Sequence, residues 1–300
     1  MKVLVTGAAG FIGSNIALEL EKQGHEVTAI DNLMTGSTWD NLVGFKGKKI
    51  EENLTTWKTE EKFDAIFHEA AITDPRYADD YETMYNNLLG FENILNLAKR
   101  CKASLIYAST AALYGNGPTP MQEDQPKDLQ TAYARSKMLI DDKVKTLFDK
   151  MHVVGLRYFN VFGPNEAHKG RPASMIYHLT KQMLAGQKPK LFKMGEQKRD
   201  HIYVKDIVKA NILALKSPSG IYNVGTGRGT TFNEIVLYIN KALGTNLDIE
   251  YIDNPYDPKS YQANTQANTD KAKKFLQFEN SYTPEEGVYE YVQKLKKDGK

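Results

Sequence analysis

A glycine-rich turn close to the start of the chain constrains the fold more than any other feature. It reads Gly7-Ala8-Ala9-Gly10-Phe11-Ile12-Gly13 and lies between a short apolar run and a segment with helical periodicity. At this spacing the first glycine permits a tight turn and the second lets the backbone approach a pyrophosphate. The third lets the helix pack closely on the strand. A chance glycine-rich turn is the alternative, but the strand–turn–helix context favours a dinucleotide-binding turn.

The rest of the first half alternates between strand-like and helix-like segments. Periodicity predicts strands at 3–6, 26–30, 48–51, 63–68, 103–108 and 152–158, and helices at 11–22, 79–99 and 131–150. Strands separated by crossover helices predict an α/β fold, a Rossmann-type doubly wound parallel sheet.

After about Gly163 the pattern loosens, with more proline and glycine. Shorter strands are predicted at 190–192, 201–204, 221–224 and 249–252, and helices at 174–185, 205–215, 232–242 and 284–297. We therefore expect an NAD(P)-binding domain over 1–163 and, over 164–300, a smaller α/β lobe that mainly binds substrate. Some of the later elements are expected to return to the first domain.

Composition excludes several kinds of partner. The 300 residues include 39 basic and 37 acidic ones, a net charge of +2, which gives no reason to expect nucleic acid or a membrane surface as partner. No apolar run approaches the roughly 20 residues that span a bilayer, and the N-terminus lacks a secretory signal. One cysteine, Cys101, excludes an intrachain disulfide and fits a reducing compartment. A cytoplasmic location is expected, and no metal site is predicted.

Asp31 closes the second predicted strand, where a carboxylate can accept both ribose hydroxyls of adenosine and would repel a 2′-phosphate. An aspartate that merely starts the turn at Asn32 is the alternative. No lysine or arginine lies between Asn32 and Trp39. These observations favour NAD, and NADP stays open.

Tyr133 and Lys137 are four residues apart on a predicted helix and so share a face. The Lys137 ammonium is expected to lower the pKa of the Tyr133 phenol by stabilising phenolate, which could then accept a proton from a substrate alcohol. Such a pair is usually an exposed helix pair. Here the strand that ends at Thr110 would place a hydroxyl beside the same alcohol, although Thr110 could equally cap the strand end.

Many ordered motifs resemble the extended short-chain dehydrogenase/reductase family of nucleotide-sugar epimerases and dehydratases. Besides the glycine turn and the Tyr133–Lys137 pair, they are His68-Glu69-Ala70-Ala71, Asn86-Asn87, Tyr107-Ala108-Ser109-Thr110, Arg157 to Pro164, Arg199 to Val204 with Asp206, and Tyr222 to Gly227. The resemblance implies a set of residues at the cofactor: Gly7, Gly10, Phe11, Ile12, Gly13, Asp31, Asn32, Glu69, Ala70, Ala71, Asn86, Tyr133, Lys137 and Val161. It also implies that Thr110, Asn160 and Arg199 contact the nucleotide-sugar.

Three segments are similar to the members of this family that epimerise an ADP-linked heptose. They are Glu166-Ala167-His168-Lys169-Gly170, 188–192 and 261–267. The resemblance implies a transient ketone, with Tyr133 as one acid–base group and Lys169 as a second. It also implies substrate contacts at His178 and Tyr261. Taken alone, Lys169 would more often be a solvated loop lysine or a phosphate ligand.

Several departures from the family pattern leave the sugar open. Arg171 stands where the heptose epimerases have a small hydroxyl residue, and it is a further candidate for a substrate contact. A UDP- or GDP-hexose 4-epimerase is therefore an alternative. A dehydratase is a weaker one, because Ala111 rather than an acidic residue follows Thr110. A non-catalytic dinucleotide sensor would not need Tyr133 and Lys137. The resemblance also suggests a homo-oligomer formed through the helices at 79–99 and 131–150.

Overall fold

Seven parallel strands form the central sheet of the computed structural model, which describes residues 1–74, 77, 79–255, 262 and 264–299. All strands of the described part of the chain, those outside the central sheet included, are in chain order β1 (Lys2–Thr6), β2 (Glu26–Asp31), β3 (Lys48–Glu51), β4 (Ala65–His68), β5 (Ser104–Thr110), β6 (Val153–Tyr158), β7 (Asn160–Phe162), β8 (Lys190–Phe192), β9 (Lys198–Arg199), β10 (His201–Tyr203), β11 (Gly220–Val224), β12 (Thr230–Thr231) and β13 (Glu250–Ile252). Across the sheet the order is β11-β6-β5-β4-β1-β2-β3. The carboxyl ends of these strands therefore share one edge.

Helices cover both faces of the sheet. They are α1 (Phe11–Lys22), α2 (Asp80–Cys101), α3 (Ala132–Lys145), α4 (Met175–Leu184), α5 (Val204–Ala214), α6 (Phe232–Leu243) and α7 (Pro284–Asp298). Side chains alternate along β1, so Val3 and Val5 pack in the cluster with α1 and α5, whereas Leu4 packs in the cluster with α2 and α3. This arrangement confirms the predicted doubly wound sheet.

A third apolar cluster joins α4, α6 and α7 near the carboxyl edge of the sheet. Phe162 and Tyr203, from β7 and β10, lie buried in it. β11 leaves this region and pairs in parallel with β6, so a late strand does return to the main sheet. The division at residue 163 stays a prediction.

The predicted elements all have counterparts, and their ends differ by a few residues. The helix predicted at 131–150 ends at Lys145, because the Thr146 hydroxyl bonds the Lys143 carbonyl and the Leu147 amide bonds that of Val144. Such i to i+3 bonds tighten the chain and stop an α-helix. The short strands β7, β9 and β12 were not predicted: β7 follows β6 after a single residue, and β9 and β12 have only two residues each.

No helix in the described part of the chain is both long and apolar enough to cross a bilayer. A buried ion pair joins β6 to α3. Arg157, 1% exposed, donates a hydrogen bond from Nε to Asp141 Oδ2 at 2.9 Å, and its Nη2 forms an ion pair with the same oxygen at 2.8 Å. Its guanidinium also bonds the Tyr114 hydroxyl, and the Tyr107 hydroxyl donates to Asp141 Oδ1 at 2.9 Å. The network fastens α3, which carries Tyr133, to the sheet.

Replacing Asp141 with asparagine should lower the free energy of unfolding by about 3–5 kcal/mol, because Arg157 would keep a buried, uncompensated charge. Urea denaturation measures this change. The adjacent exposed ion pair supplies a control, since Asp142→Asn should change stability by only about 0.5 kcal/mol. Equal effects at the two positions would contradict the role given to the buried pair.

Candidate active site

The glycine turn takes the shape that its sequence predicts. Gly7 has a positive φ of +64°, and a Cβ there would lie 2.7 Å from the backbone nitrogen of Ala70. A Cβ on Gly13 would lie 2.2 Å from the Gly7 carbonyl oxygen. No side chain caps the N-terminus of α1 at Gly10. A helix start with free N–H groups and close backbone access suits a pyrophosphate, so the turn fits the diphosphate of a dinucleotide.

A cleft of about 400 Å³ opens beside this turn, at the carboxyl edge of the sheet. Nearly all the residues predicted at the cofactor line it: Gly7, Gly10, Phe11, Ile12, Gly13, Asp31, Asn32, Glu69, Ala70, Ala71, Asn86, Tyr133 and Lys137. Val161 is not among the described lining residues and packs, half-buried, between two apolar clusters. Folding thus brings one dispersed set of residues onto a single cavity.

Asp31 lies at one end of the cleft with its carboxylate already held by the protein. Oδ2 accepts from the Ala9 amide at 3.0 Å, and Oδ1 accepts from the Leu33 amide at 2.8 Å and the Ser37 hydroxyl at 3.0 Å. A carboxylate has about four acceptor sites, so one remains, on Oδ2, for a ribose hydroxyl. The described lining residues in the loop that follows Asp31, from Asn32 to Ser37, include no lysine or arginine for a 2′-phosphate. The geometry therefore suits NAD better than NADP.

Tyr133 and Lys137 meet at the centre of the cleft, at the start of α3. The Lys137 ammonium lies 6.0 Å from the centre of the Tyr133 ring and donates to the Ala108 carbonyl at 2.7 Å. The Tyr133 hydroxyl hydrogen-bonds to Thr110, whose oxygen also accepts from the Ala112 amide at 3.1 Å. Thr110 therefore caps the strand end and contacts the phenol as well.

The pKa values of Tyr133 and Lys137 differ from those that the sequence led us to expect. Burial raises the pKa of Tyr133 to about 12, despite its hydrogen bond with Thr110. Burial also lowers the pKa of Lys137 to about 8, although Glu69 and Asp141 oppose that shift. The predicted lowering of the Tyr133 pKa by Lys137 is thus not seen. The cost of desolvating a charge outweighs the attraction between the two side chains.

Glu69 lies near Tyr133 and Lys137. The sequence predicted it at the cofactor but did not predict what its side chain contacts. Oε1 accepts from the Tyr158 hydroxyl at 3.0 Å, whereas Oε2 is buried and has no hydrogen-bond partner among the described residues. Burial raises the pKa of Glu69 to about 7, against the opposing effects of Tyr158 and Lys137. Asn211, on α5, donates to the Tyr158 hydroxyl at 2.8 Å. The sequence could have indicated this contact through Tyr158, because it ends β6 at the edge of the sheet where the cleft opens.

Lys169 reaches the cleft from outside the sheet, on the chain between β7 and α4. Its ammonium lies 5.6 Å from the centre of the Phe11 ring, the first residue of α1. Burial lowers the pKa of Lys169, while the carboxylates of Glu166 and Asp74 oppose that change. Two cationic side chains, Lys137 and Lys169, therefore line the described cleft from different elements.

Four of the predicted substrate residues, Asn160, Arg171, His178 and Arg199, lie beyond the described lining of the cleft. Asn160 starts β7 and pairs in parallel with His201, two residues after Arg199. The Arg199 guanidinium is largely buried, 6.0 Å from the centre of the Phe232 ring. The exposed Arg171 and the half-buried His178 meet where the His178 ring Nε2 contacts the Arg171 carbonyl at 3.3 Å. Tyr261 lies outside the described residues.

One family model matches residues 3–225, and its description is the NAD dependent epimerase/dehydratase family. The chain belongs to this family. The expected α/β epimerase with NAD as cofactor is therefore confirmed, and the family supports a nucleotide-sugar as substrate.

Several relatives match over almost their whole length. The ADP-L-glycero-D-manno-heptose-6-epimerase of Brachyspira hyodysenteriae is 37% identical over 99% of this chain and 98% of its own length. The crystal structure of the same-named enzyme of Helicobacter pylori has a TM-score of 0.91 at 33% identity, covering 98% of this chain and 96% of the other. A UDP-N-acetylglucosamine 4-epimerase of Methanobrevibacter ruminantium also reaches 0.91, at 30% identity over 99% and 98%. The resemblance to nucleotide-sugar epimerases is confirmed.

We expect the cofactor-free epimerase to bind NAD at least about tenfold more tightly than NADP, because Asp31 would bond the ribose hydroxyls and repel a 2′-phosphate. Isothermal titration of both dinucleotides measures the two dissociation constants. In Asp31→Asn the ratio of the NADP to the NAD dissociation constant should be smaller than in the wild type. The asparagine amide keeps an oxygen acceptor for the turn but carries no charge that repels a 2′-phosphate. Tighter binding of NADP by the wild type would contradict this prediction.

Glu69 should make the stability of the cofactor-free protein depend on pH. Its pKa is about 7 in the folded chain against 4.5 as reference, so the folded state holds the proton over a range in which the unfolded state has released it. Stability from Glu69 is thus present below about pH 4.5 and lost as the pH rises through about 7.

Urea denaturation of wild type and Glu69→Gln across this range tests the effect. The wild type should lose stability relative to the variant as the pH rises, while the exposed Glu52→Gln, in the same cleft, should track the wild type. A constant difference between wild type and Glu69→Gln would show that Glu69 does not titrate there.

Proposed function

We propose that this epimerase inverts a secondary alcohol of an ADP-linked heptose by way of a transient ketone, with Tyr133 and Lys169 as its two acid–base groups. The observation that carries the proposal is that both side chains line one cleft although they come from separate elements. Support for the sugar comes from the two relatives named as heptose 6-epimerases, which match the chain from end to end.

Epimerisation at an alcohol needs the hydride to leave one face of the carbon and return to the other. Bound NAD would supply the hydride acceptor and donor, with the start of α1 holding its diphosphate and Lys137 its nicotinamide ribose. The substrate oxygen then lies differently in the two poses, and one side chain cannot readily reach both. A cleft with a phenol on one wall and an amine on another element suits such a reaction.

Tyr133 would exchange the proton of the alcohol in one pose. Its hydrogen bond with Thr110 positions the phenol at the carboxyl end of β5. Because burial holds the pKa of Tyr133 near 12, phenolate needs additional stabilisation once substrate and cofactor are bound. Lys137, which stands 6.0 Å from the ring, would supply positive charge and bind the nicotinamide ribose.

Lys169 would serve the other pose. Burial lowers the pKa of its ammonium, which moves the amine toward the range where it can both take and give a proton. Arg199 and Asn160 would bind the nucleotide end of the substrate, since a guanidinium is a planar fork that suits a pyrophosphate. His178, Arg171 and Tyr261 are proposed for the sugar end.

A UDP-hexose 4-epimerase is the second candidate. Arg171 stands where a small hydroxyl residue is expected in heptose epimerases, and a UDP-sugar 4-epimerase reaches the same TM-score as a heptose epimerase. Incubation of the purified protein with ADP-, UDP- and GDP-sugars, with product analysis by NMR, separates the two candidates. Conversion confined to UDP-hexoses would replace the heptose proposal.

Self-association and a cytosolic location complete the proposal. α2 and α3 pack together, and they leave Tyr81, Tyr85 and Leu139 exposed at 76%, 47% and 51%. Apolar side chains of this size on two adjacent helices suit a contact with a second copy. A reducing compartment would keep Cys101 a free thiol.

Tyr133→Phe and Lys169→Ala should each lower the epimerisation rate by about 10²–10⁴-fold, because each removes one proton-transfer group. The assay is interconversion of the two ADP-heptose epimers without added reductant. Lys181→Ala, an exposed lysine on α4, is the matched control and should keep the wild-type rate. Full activity in either active-site variant would exclude the two-group scheme.

A further inference from the structure

The segment that carries Lys169, residues 163–174, has little regular structure to hold it. It contains one short 3₁₀ turn, Ala167–Lys169, and its backbone takes a positive φ at Gly163, Asn165 and Gly170. A segment of this kind has no ladder of backbone bonds to fix its side chains. Its backbone hydrogen bonds are turns within the segment, such as the Lys169 amide to the Glu166 carbonyl at 3.0 Å, so side-chain contacts fix its position against the rest of the fold.

Glu166 supplies the first of these contacts. Its side chain is fully buried, and Oε1 accepts from the Gly163 amide at 3.2 Å and the Ser174 hydroxyl at 2.8 Å. Oε2 accepts from the Ser174 amide at 2.6 Å. Gly163 and Ser174 are the two ends of the segment, and Ser174 also caps α4. One carboxylate thus closes the segment into a loop and fixes it to the helix behind it.

Asn41 supplies the second contact, between the segment and the glycine turn. Its side-chain nitrogen donates to the Ala9 carbonyl at 2.8 Å and contacts His168 Nδ1 at 3.1 Å. Ala9 belongs to the glycine turn, and His168 directly precedes Lys169. The side-chain amide of Asn165 also donates hydrogen bonds to the Asn41 backbone carbonyl at 3.2 Å and to Ser14 Oγ at 3.0 Å. The segment is therefore fastened to the element that receives the pyrophosphate.

We propose that Glu166 and Asn41 are positioning residues for Lys169: Glu166 closes the segment, and Asn41 registers it against the cofactor turn. The inference rests on the proposed acid–base role of Lys169. The Lys169 amine and the cofactor then keep a fixed relative position, while Tyr133 is held independently by α3. Loss of either positioning residue should impair the pose that depends on Lys169 and spare the pose that depends on Tyr133.

Glu166→Gln and Asn41→Ala test the proposal, with Asp40→Ala, at the exposed position beside Asn41, as control. Each ADP-heptose epimer is mixed separately with enzyme that holds NAD, and the absorbance of the reduced cofactor is followed. One epimer should react at the wild-type rate, and the other at least about tenfold more slowly, as expected for a misplaced catalytic group. Lys169→Ala should show the same asymmetry. Equal slowing of both epimers, or no slowing, would overturn the proposal.

A second measurement needs no turnover. Cofactor-free protein is treated briefly with acetic anhydride, and acetylation at each lysine is measured by mass spectrometry. Lys169 should react at least about threefold faster in both variants, because local opening exposes its amine, while the exposed Lys181 should not change. Unchanged labelling of Lys169 would contradict the positioning role. Full epimerase activity in Lys169→Ala would instead refute its acid–base role and leave the labelling result as evidence on positioning alone.

Discussion

The contact between backbone segments at the glycine turn is the constraint on which the site depends. β1, the start of α1 and the chain after β4 approach so closely that a Cβ on Gly7 or Gly13 would overlap backbone atoms. Because these positions carry no side chain, the N-terminus of α1 opens directly onto the cleft. Asp31, Glu69 and Tyr133, from other strands and helices, are then arranged around that opening. A dinucleotide bound there lies against backbone and needs few side chains to hold it.

Burial governs the chemistry of the side chains around this turn. Removal from water favours the neutral form of every titratable group, so the pKa values of Glu69 and Tyr133 rise while that of Lys137 falls. Two of these values lie at about 7 and about 8, which suits proton exchange near neutral pH. The environment affects Glu69 most clearly, because its buried Oε2 has no hydrogen-bond partner among the described residues. Ionising a carboxyl group there would cost desolvation free energy that no hydrogen bond to Oε2 offsets.

The two candidate acid–base groups are supported by different parts of the molecule. Tyr133 stands on a helix that the buried pair of Asp141 and Arg157 fastens to the sheet. Lys169 stands on an irregular segment that Glu166 closes and Asn41 ties to the glycine turn. The first support is made by regular structure and a buried ion pair, and the second by single side-chain contacts.

The doubly wound sheet, the glycine turn and the Tyr133–Lys137 pair could all be predicted from the amino-acid sequence alone. These features are local: apolar periodicity, a glycine spacing and an i, i+4 relation are all visible within a few turns of chain. Tertiary structure decided the direction of the Tyr133 pKa, the pairing of Glu69 with Tyr158, and the bridge from Asn41 to His168. The contacts involved join Tyr133 to Thr110, 23 positions apart, Glu69 to Tyr158, 89 apart, and Asn41 to His168, 127 apart. Their proximity and burial exist only once the sheet has formed. No local pattern encodes desolvation, because it is a property of everything that surrounds a side chain.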